Sequence, residues 1–172
     1  FSGEADIGFP RLLQALQLPQ PARLQQLQAI PGLVWRRDGA TVSNGPAEPV
    51  EAMDSLPTPD LSDYFDARAR SAAASQVSPV LLFETSRGCW WGAKSHCTFC
   101  GLNGHSMGYR SKSPARVLAE LGEMIRRWPC PTLEAVDNIL DMKYFDSVLP
   151  ALEQMDLPRL EAGATDNGKA SG

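Results

Sequence analysis

The chain has 172 residues, 43% of them apolar and 21% charged, with 14 glycines, 14 prolines and four cysteines, which fits one globular domain or pieces of two and excludes a disulfide scaffold. A net charge of −4, from 16 basic against 20 acidic residues, excludes a generally basic nucleic-acid coat and a strongly acidic solvating tail. No run reaches the roughly 18 to 20 apolar residues that cross a bilayer, and the start, Phe1-Ser2-Gly3-Glu4, carries neither an initiator Met nor a signal segment. The expectation is a cytoplasmic chain without a membrane partner, cut from something longer.

Phe9, Leu12, Leu13 and Leu16 recur at helical spacing with Pro10 in the first turn, and Leu24, Leu27 and Ile30 predict a second helix ended by Pro31-Gly32. The runs 33–37 and 40–42 flank Asp38-Gly39, a dipeptide that supplies positive φ for a two-residue hairpin turn. From Ser43 to Pro79, five prolines and little periodicity beyond Leu61, Tyr64 and Phe65 predict an extended connector. Val80-Leu81-Leu82-Phe83 is a continuous apolar run, expected to form a strand covered on both faces and to lead through Glu84-Thr85-Ser86-Arg87-Gly88 into Cys89.

Ser113-Pro114 supplies a cap and a first-turn proline for a helix whose face is Val117, Leu121, Met124, Ile125 and Trp128, stopped by Pro129. Residues 133–139 read as a second buried strand with the polar pair Asp137-Asn138 at its end. Phe145, Val148, Leu149, Leu152 and Met155 suggest a further helix with a kink at Pro150. The order strand, long loop, helix, strand, helix begins a parallel α/β array, in which functional groups gather at the C-terminal ends of strands. Both the cysteine loop and Asp137-Asn138 fall there. Residues 161–172 are small and polar with no core face, and are expected to be a ragged or disordered end.

Cys89, Cys97 and Cys100 fall within twelve residues, while Cys130 stands apart. An odd cluster in a chain with no export signal argues for metal binding. Between Thr85 and Ala119 there is no acidic residue but five basic ones, Arg87, Lys94, Arg110, Lys112 and Arg116, so the rest of the chain carries 11 basic against 20 acidic residues. A cationic island of this kind suits an anionic guest such as a thiolate-ligated cluster. Three thiolates fill three corners of a cubane cluster and leave one iron open to a chelating molecule, whereas an electron-transfer cluster normally has a fourth ligand. Cys130, at a helix end in the loop before the second strand, is expected at the opposite end of the array. Zinc is the rival, since Cys97-x2-Cys100-x4-His105 with Cys89 is a partial knuckle spacing. In that reading Trp90, Trp91 and Phe99 stack bases, but the apolar-faced flanking elements belong to a larger core, so no nucleic-acid partner is expected.

The segments Glu84-Thr85-Ser86-Arg87-Gly88-Cys89-Trp90-Trp91-Gly92 and Cys97-Thr98-Phe99-Cys100-Gly101-Leu102-Asn103-Gly104 resemble the cluster loop of radical S-adenosylmethionine (SAM) enzymes. The C-x7-C-x2-C spacing, wider than the superfamily's common C-x3-C-x2-C, and the Cys-Gly-Leu-Asn-Gly ending resemble the cobalamin-dependent subgroup of peptide (RiPP or bacteriocin) maturation C-methyltransferases. Residues 109–113 and 136–142 resemble the same subgroup's first barrel helix entry and second strand. Residues 1–6 resemble the last strand-to-helix loop of the preceding cobalamin domain, and Leu56 to Asp60 with Asp63-Tyr64-Phe65 resemble its connector.

The resemblance implies an α/β fold, the start of a radical SAM partial (β/α) barrel preceded by the tail of a Rossmann-like cobalamin-binding domain. It divides the chain into the cobalamin-domain tail (1–18), a connector with a short hairpin (19–78), the N-terminal part of the radical SAM domain (79–160) and the end (161–172). It implies that Cys89, Cys97 and Cys100 hold a [4Fe-4S] cluster whose open iron chelates SAM, which one electron then cleaves to a 5′-deoxyadenosyl radical. Phe99 would pack near the adenine, Asp137 and Asn138 would contact the SAM amino group, and Gly101 and Asn103 would lie along the cofactor. Arg110 and Lys112 are candidates for balancing the cluster's charge, and Glu4 and Asp6 for favourable charges near a helix N-terminus. Methylcobalamin would donate a methyl group to a carbon of a precursor peptide, with a reducing electron donor as the second partner. Most of the cobalamin domain and most barrel strands are missing from the sequence, so the activity is expected of a longer parent.

Overall fold

The computed structural model describes residues 1–98, 100, 107–128, 130 and 132–155. The fold is mixed α/β, and among the described residues the strands form three two-stranded sheets and no closed barrel. Two compact units interleave along the chain: one holds Phe1–Leu56 and Ser86–Lys112, the other Pro57–Thr85 and the described residues from Ser113 onward.

In the first unit, α1 (Gly8–Leu16) and α2 (Ala22–Gln28) precede a hairpin of β1 (Val34–Arg37) and β2 (Ala40–Ser43). Asp38 and Gly39 take φ of 50° and 81°, the positive values that a two-residue turn between twisted strands demands. The apolar stripe of α1 is turned from its predicted direction. Gly8 and Ala15 are buried and Leu12 half-buried, whereas Phe9, Leu13 and Leu16 are exposed. The helix approaches its neighbours through its small residues: a Cβ on Gly8 would lie 2.7 Å from the Phe1 ring. Ala15, Ile30 and Leu33 form the core here, with Leu12, Leu27 and Trp35 against them. Asn44 joins the helix end to the hairpin, donating from Nδ2 to the Leu27 and Ile30 carbonyls (2.7 and 2.8 Å) and accepting from Trp35 Nε1 (3.3 Å). It adds a side-chain donor to carbonyls that the turn after α2 also bonds, that of Leu27 with Ile30 N–H (3.5 Å) and that of Ile30 with Leu33 N–H (3.4 Å).

In the second unit, β3 (Val80–Phe83) pairs in parallel with β6 (Thr132–Ala135), in the register Leu81 to Leu133 and Phe83 to Ala135. The helix α4 (Pro114–Arg127) lies between them in sequence, which makes a β-α-β unit. Ser113 Oγ accepts from the Arg116 N–H at 3.1 Å, Pro114 occupies the first turn, and Val117, Leu121, Met124, Ile125 and Trp128 are all buried. Pro129, the predicted stop, lies outside the described residues. Leu81, Met124 and Trp128 form one core cluster, and Val117, Leu121, Ile125, Tyr144 and Val148 a second.

Four further sequence expectations are corrected. The β3 strand is covered on one face only, with Leu81 buried and Val80 and Leu82 exposed by 40% and 53%, because the described helices pack on a single side of the pair. The second strand stops at Ala135 rather than continuing to residue 139, and it is not buried: Leu133 is half-buried against the core and the other three residues are exposed. After Val136 N–H donates to the Phe83 carbonyl (2.9 Å), the Asp137 side chain takes the next donor, and a carboxylate bonding to backbone in this way ends a ladder. The predicted connector contains a 3-10 turn at Met53–Ser55 and a helix, α3 (Ser62–Ala69). Phe65 of α3 stacks on Trp128 with ring centroids 6.3 Å apart, while Thr58 donates to Glu123 Oε2 (3.0 Å) and accepts from Arg116 (3.3 Å). The last described helix, α5 (Val148–Gln154), places Pro150 in its first turn, where no intrahelical donor is lost and no kink follows.

Candidate functional site

The cysteine loop is closed at its base by backbone. In the first unit, β4 (Ser86–Arg87) pairs antiparallel with β5 (Arg110–Ser111), Ser86 opposite Ser111 and Arg87 opposite Arg110. Next along the neck, Cys89 N–H donates to the Met107 carbonyl at 3.2 Å. Between these contacts Gly88 sits at φ +79°, and a Cβ there would lie 2.2 Å from the Gly108 carbonyl oxygen. Only glycine permits this approach of two backbones. The segment between Cys89 and Met107 carries the other two clustered cysteines.

Within the loop, Ala93 N–H donates to the Cys89 carbonyl (3.0 Å) and Ser95 N–H to that of Trp91 (2.8 Å), so the first half is a pair of tight turns. Gly92 N–H donates to Cys89 Sγ at 3.2 Å, which orients the sulfur within the turn. Trp90 and Trp91 meet edge to face at 6.2 Å, with Trp91 exposed. Cys89, Cys97, Cys100 and Cys130 are all free thiols and half-buried. Among the described residues no three His, Cys, Asp or Glu side chains are grouped as a metal site. Cys89, Cys97 and Cys100 thus share one loop without being gathered into a metal site. Phe99, Gly101, Asn103 and His105 lie outside the described residues.

Asp137, Asn138 and Cys130 belong to the second unit. Asp137 is anchored at the end of β3: its carboxylate accepts from Thr85 N–H (2.8 Å) and from the Thr85 hydroxyl. The Thr85 carbonyl in turn accepts from the buried Tyr144 hydroxyl at 3.2 Å. Asn138 is exposed. Cys130 donates its S–H to the Pro79 carbonyl (2.9 Å), at the N-terminal ends of β3 and β6, whereas the cysteine loop follows β3 at its other end.

Ion pairs bring further residues of the first unit to the base of the loop. Arg87 binds Asp6 (2.8 and 3.2 Å) and Glu4 (3.0 Å), and Arg110 binds the other oxygen of Glu4 at 2.7 Å. Arg110 also donates to the carbonyls of Val50 (3.0 Å) and Gly108 (3.3 Å), while Val50 N–H donates to Glu4 (2.7 Å). Arg110 is thus already neutralised by Glu4 rather than reserved for a cluster, and Lys112 is buried. Glu4 and Asp6, expected as helix N-terminal charges, pair with arginines 81 to 106 positions away. The only signal in the sequence was the contrast between an acidic start and a cationic island.

Burial pushes the Glu4 carboxyl up, but the bonds from Arg110, Val50 N–H and Arg87 outweigh it and leave it below its ordinary value of 4.5. The Arg87 guanidinium holds Asp6 below its ordinary 3.8. Both folded values lie below the unfolded ones, so the stabilisation is complete above about pH 4.5 and is lost as pH falls through the folded values. Thermal melts across that range should show the difference between wild type and Glu4→Gln shrinking with acidification. A difference independent of pH would contradict the assignment.

No family model, curated protein or solved structure matches the chain.

Proposed function

We propose that this chain is the cluster-bearing portion of a radical SAM enzyme, whose longer parent carries out cobalamin-dependent C-methylation of a ribosomally made peptide. The observation that carries the reading is the cysteine loop itself: three free thiols on a segment closed by a glycine-dependent neck, directly following the first strand of a parallel β-α-β unit. When bound, the cluster would supply the electron that cleaves SAM, and cobalamin the methyl group.

The chain's own residues have definable tasks. Cys89, Cys97 and Cys100 would hold the cluster, and the Gly92 N–H bond fixes the position of the Cys89 sulfur. The neck fixes the two ends of the loop, so ordering the intervening thiols closes a short segment rather than a free chain. Asp137 would offer its carboxylate to the SAM ammonium from the end of β3, oriented by both Thr85 donors. Trp91 presents an exposed apolar surface on the loop for cofactor or peptide.

Anaerobic reconstitution with iron and sulfide tests the ligand set. About four irons and four sulfides per chain are expected for wild type and for Cys130→Ala, with loading largely lost in Cys89→Ala, Cys97→Ala and Cys100→Ala. Selective uptake of zinc, or equal loading of all four variants, would overturn the reading.

A further inference from the structure

We infer that Glu4 and Asp6 are positioning residues for the cysteine loop: their carboxylates hold Arg87 and Arg110 across the neck, so that order in the N-terminal segment and metal occupancy of the loop are coupled. The metal half of this inference rests on the function proposed above.

The connection is continuous and lies within one unit. Arg87 and Arg110 are directly opposed in the β4–β5 ladder, and their side chains converge on the same Glu4 carboxylate, one on each oxygen. Two like charges at opposed positions repel, and a shared carboxylate reverses the sign of that interaction. Asp6 adds a two-bond contact to Arg87, leaving the four groups with balanced formal charge. The side chains are largely withdrawn from water, with 9% exposure for Arg110, 18% for Arg87 and 21% for Glu4, so solvent cannot readily substitute for a lost partner.

The carboxylates are themselves held. Ser2 is fixed between Gly32 and Ala47 by backbone bonds of 2.7 and 2.9 Å, and Glu4 takes the Val50 N–H. At its other end the network reaches the loop, because Arg110 grips the Gly108 carbonyl and Gly108 is the backbone against which Gly88, the residue before Cys89, is packed. Displacing Glu4 therefore frees both arginines at the place where the two ends of the loop must stay in register. By linkage, whatever orders the loop also orders the carboxylates, and the reverse.

Amide exchange measured by mass spectrometry on metal-free protein tests the positioning half. Glu4→Ala is expected to speed exchange of the Cys89 amide and the β4–β5 amides by at least about tenfold, with α4 amides unchanged, and Glu4→Gln, which keeps one of the two acceptor oxygens, to have a smaller effect. Unchanged exchange at the neck in Glu4→Ala would overturn the inference. Loading wild type with iron and sulfide should then slow exchange at Val50, and that response should be lost in Glu4→Ala. A loaded wild type with no response at Val50 would overturn the coupling. Failure of wild type to load would overturn the coupling through the function proposed above, while the metal-free exchange would still decide the positioning role.

Discussion

Gly88→Ala is expected to destabilise the first unit by about 3 kcal/mol and to open the neck of the cysteine loop. Two effects combine. A left-handed backbone costs an L-residue about 1 to 2 kcal/mol, and the new Cβ would stand 2.2 Å from the Gly108 carbonyl oxygen and 2.9 Å from that of Met107. The neighbours are backbone and cannot rotate aside, so relief requires separating the two strands and breaking the bond from Cys89 N–H to Met107. Urea unfolding should show the loss, accompanied by limited proteolysis between residues 88 and 108. A variant as stable as wild type, with the neck still protected, would show that the close approach does not hold the loop.

Leu121→Ala is expected to cost about 3 kcal/mol in the second unit. Leu121 is 1% exposed and packs among Val117, Ile125, Tyr144 and Val148, so the deletion leaves a cavity walled by α4 and α5 rather than a site that can collapse. Exchange of α4 amides reads this locally. Leu149→Ala, in the same helix layer but 42% exposed, should change stability by less than about 1 kcal/mol. Equal effects from the two would contradict the described packing.

The sequence was most legible where local chemistry decides the backbone. Asp38-Gly39 makes its turn because both residues accept positive φ. Ser113 and Pro114 start α4, and the predicted face of Val117, Leu121, Met124 and Ile125, with Trp128 at its C-cap, is buried throughout. Legibility failed where distant partners decide. The helix α3 has one anchoring ring, Phe65, whose partner Trp128 lies 63 positions on, so prolines and low periodicity outweighed it. The end of β6 depends on Asp137 finding Thr85, which no pattern within residues 133–139 reveals.

The candidate site divides in the same way. The spacing of Cys89, Cys97 and Cys100 places three thiols in one loop without help from the fold, because spacing along the chain is local. Closure of that loop depends on Gly88 meeting Gly108 and on Arg87 and Arg110 sharing Glu4, contacts between segments up to 106 residues apart. Composition could register only that one stretch was cationic and the remainder acidic.

The most direct test of the central claim is electron paramagnetic resonance of the reconstituted, reduced chain with and without SAM. The account predicts the signal of a reduced [4Fe-4S] cluster that changes when SAM is added, because three protein thiolates leave one iron open to the ligand. A cluster spectrum indifferent to SAM, or a colourless protein loaded with zinc, would contradict it.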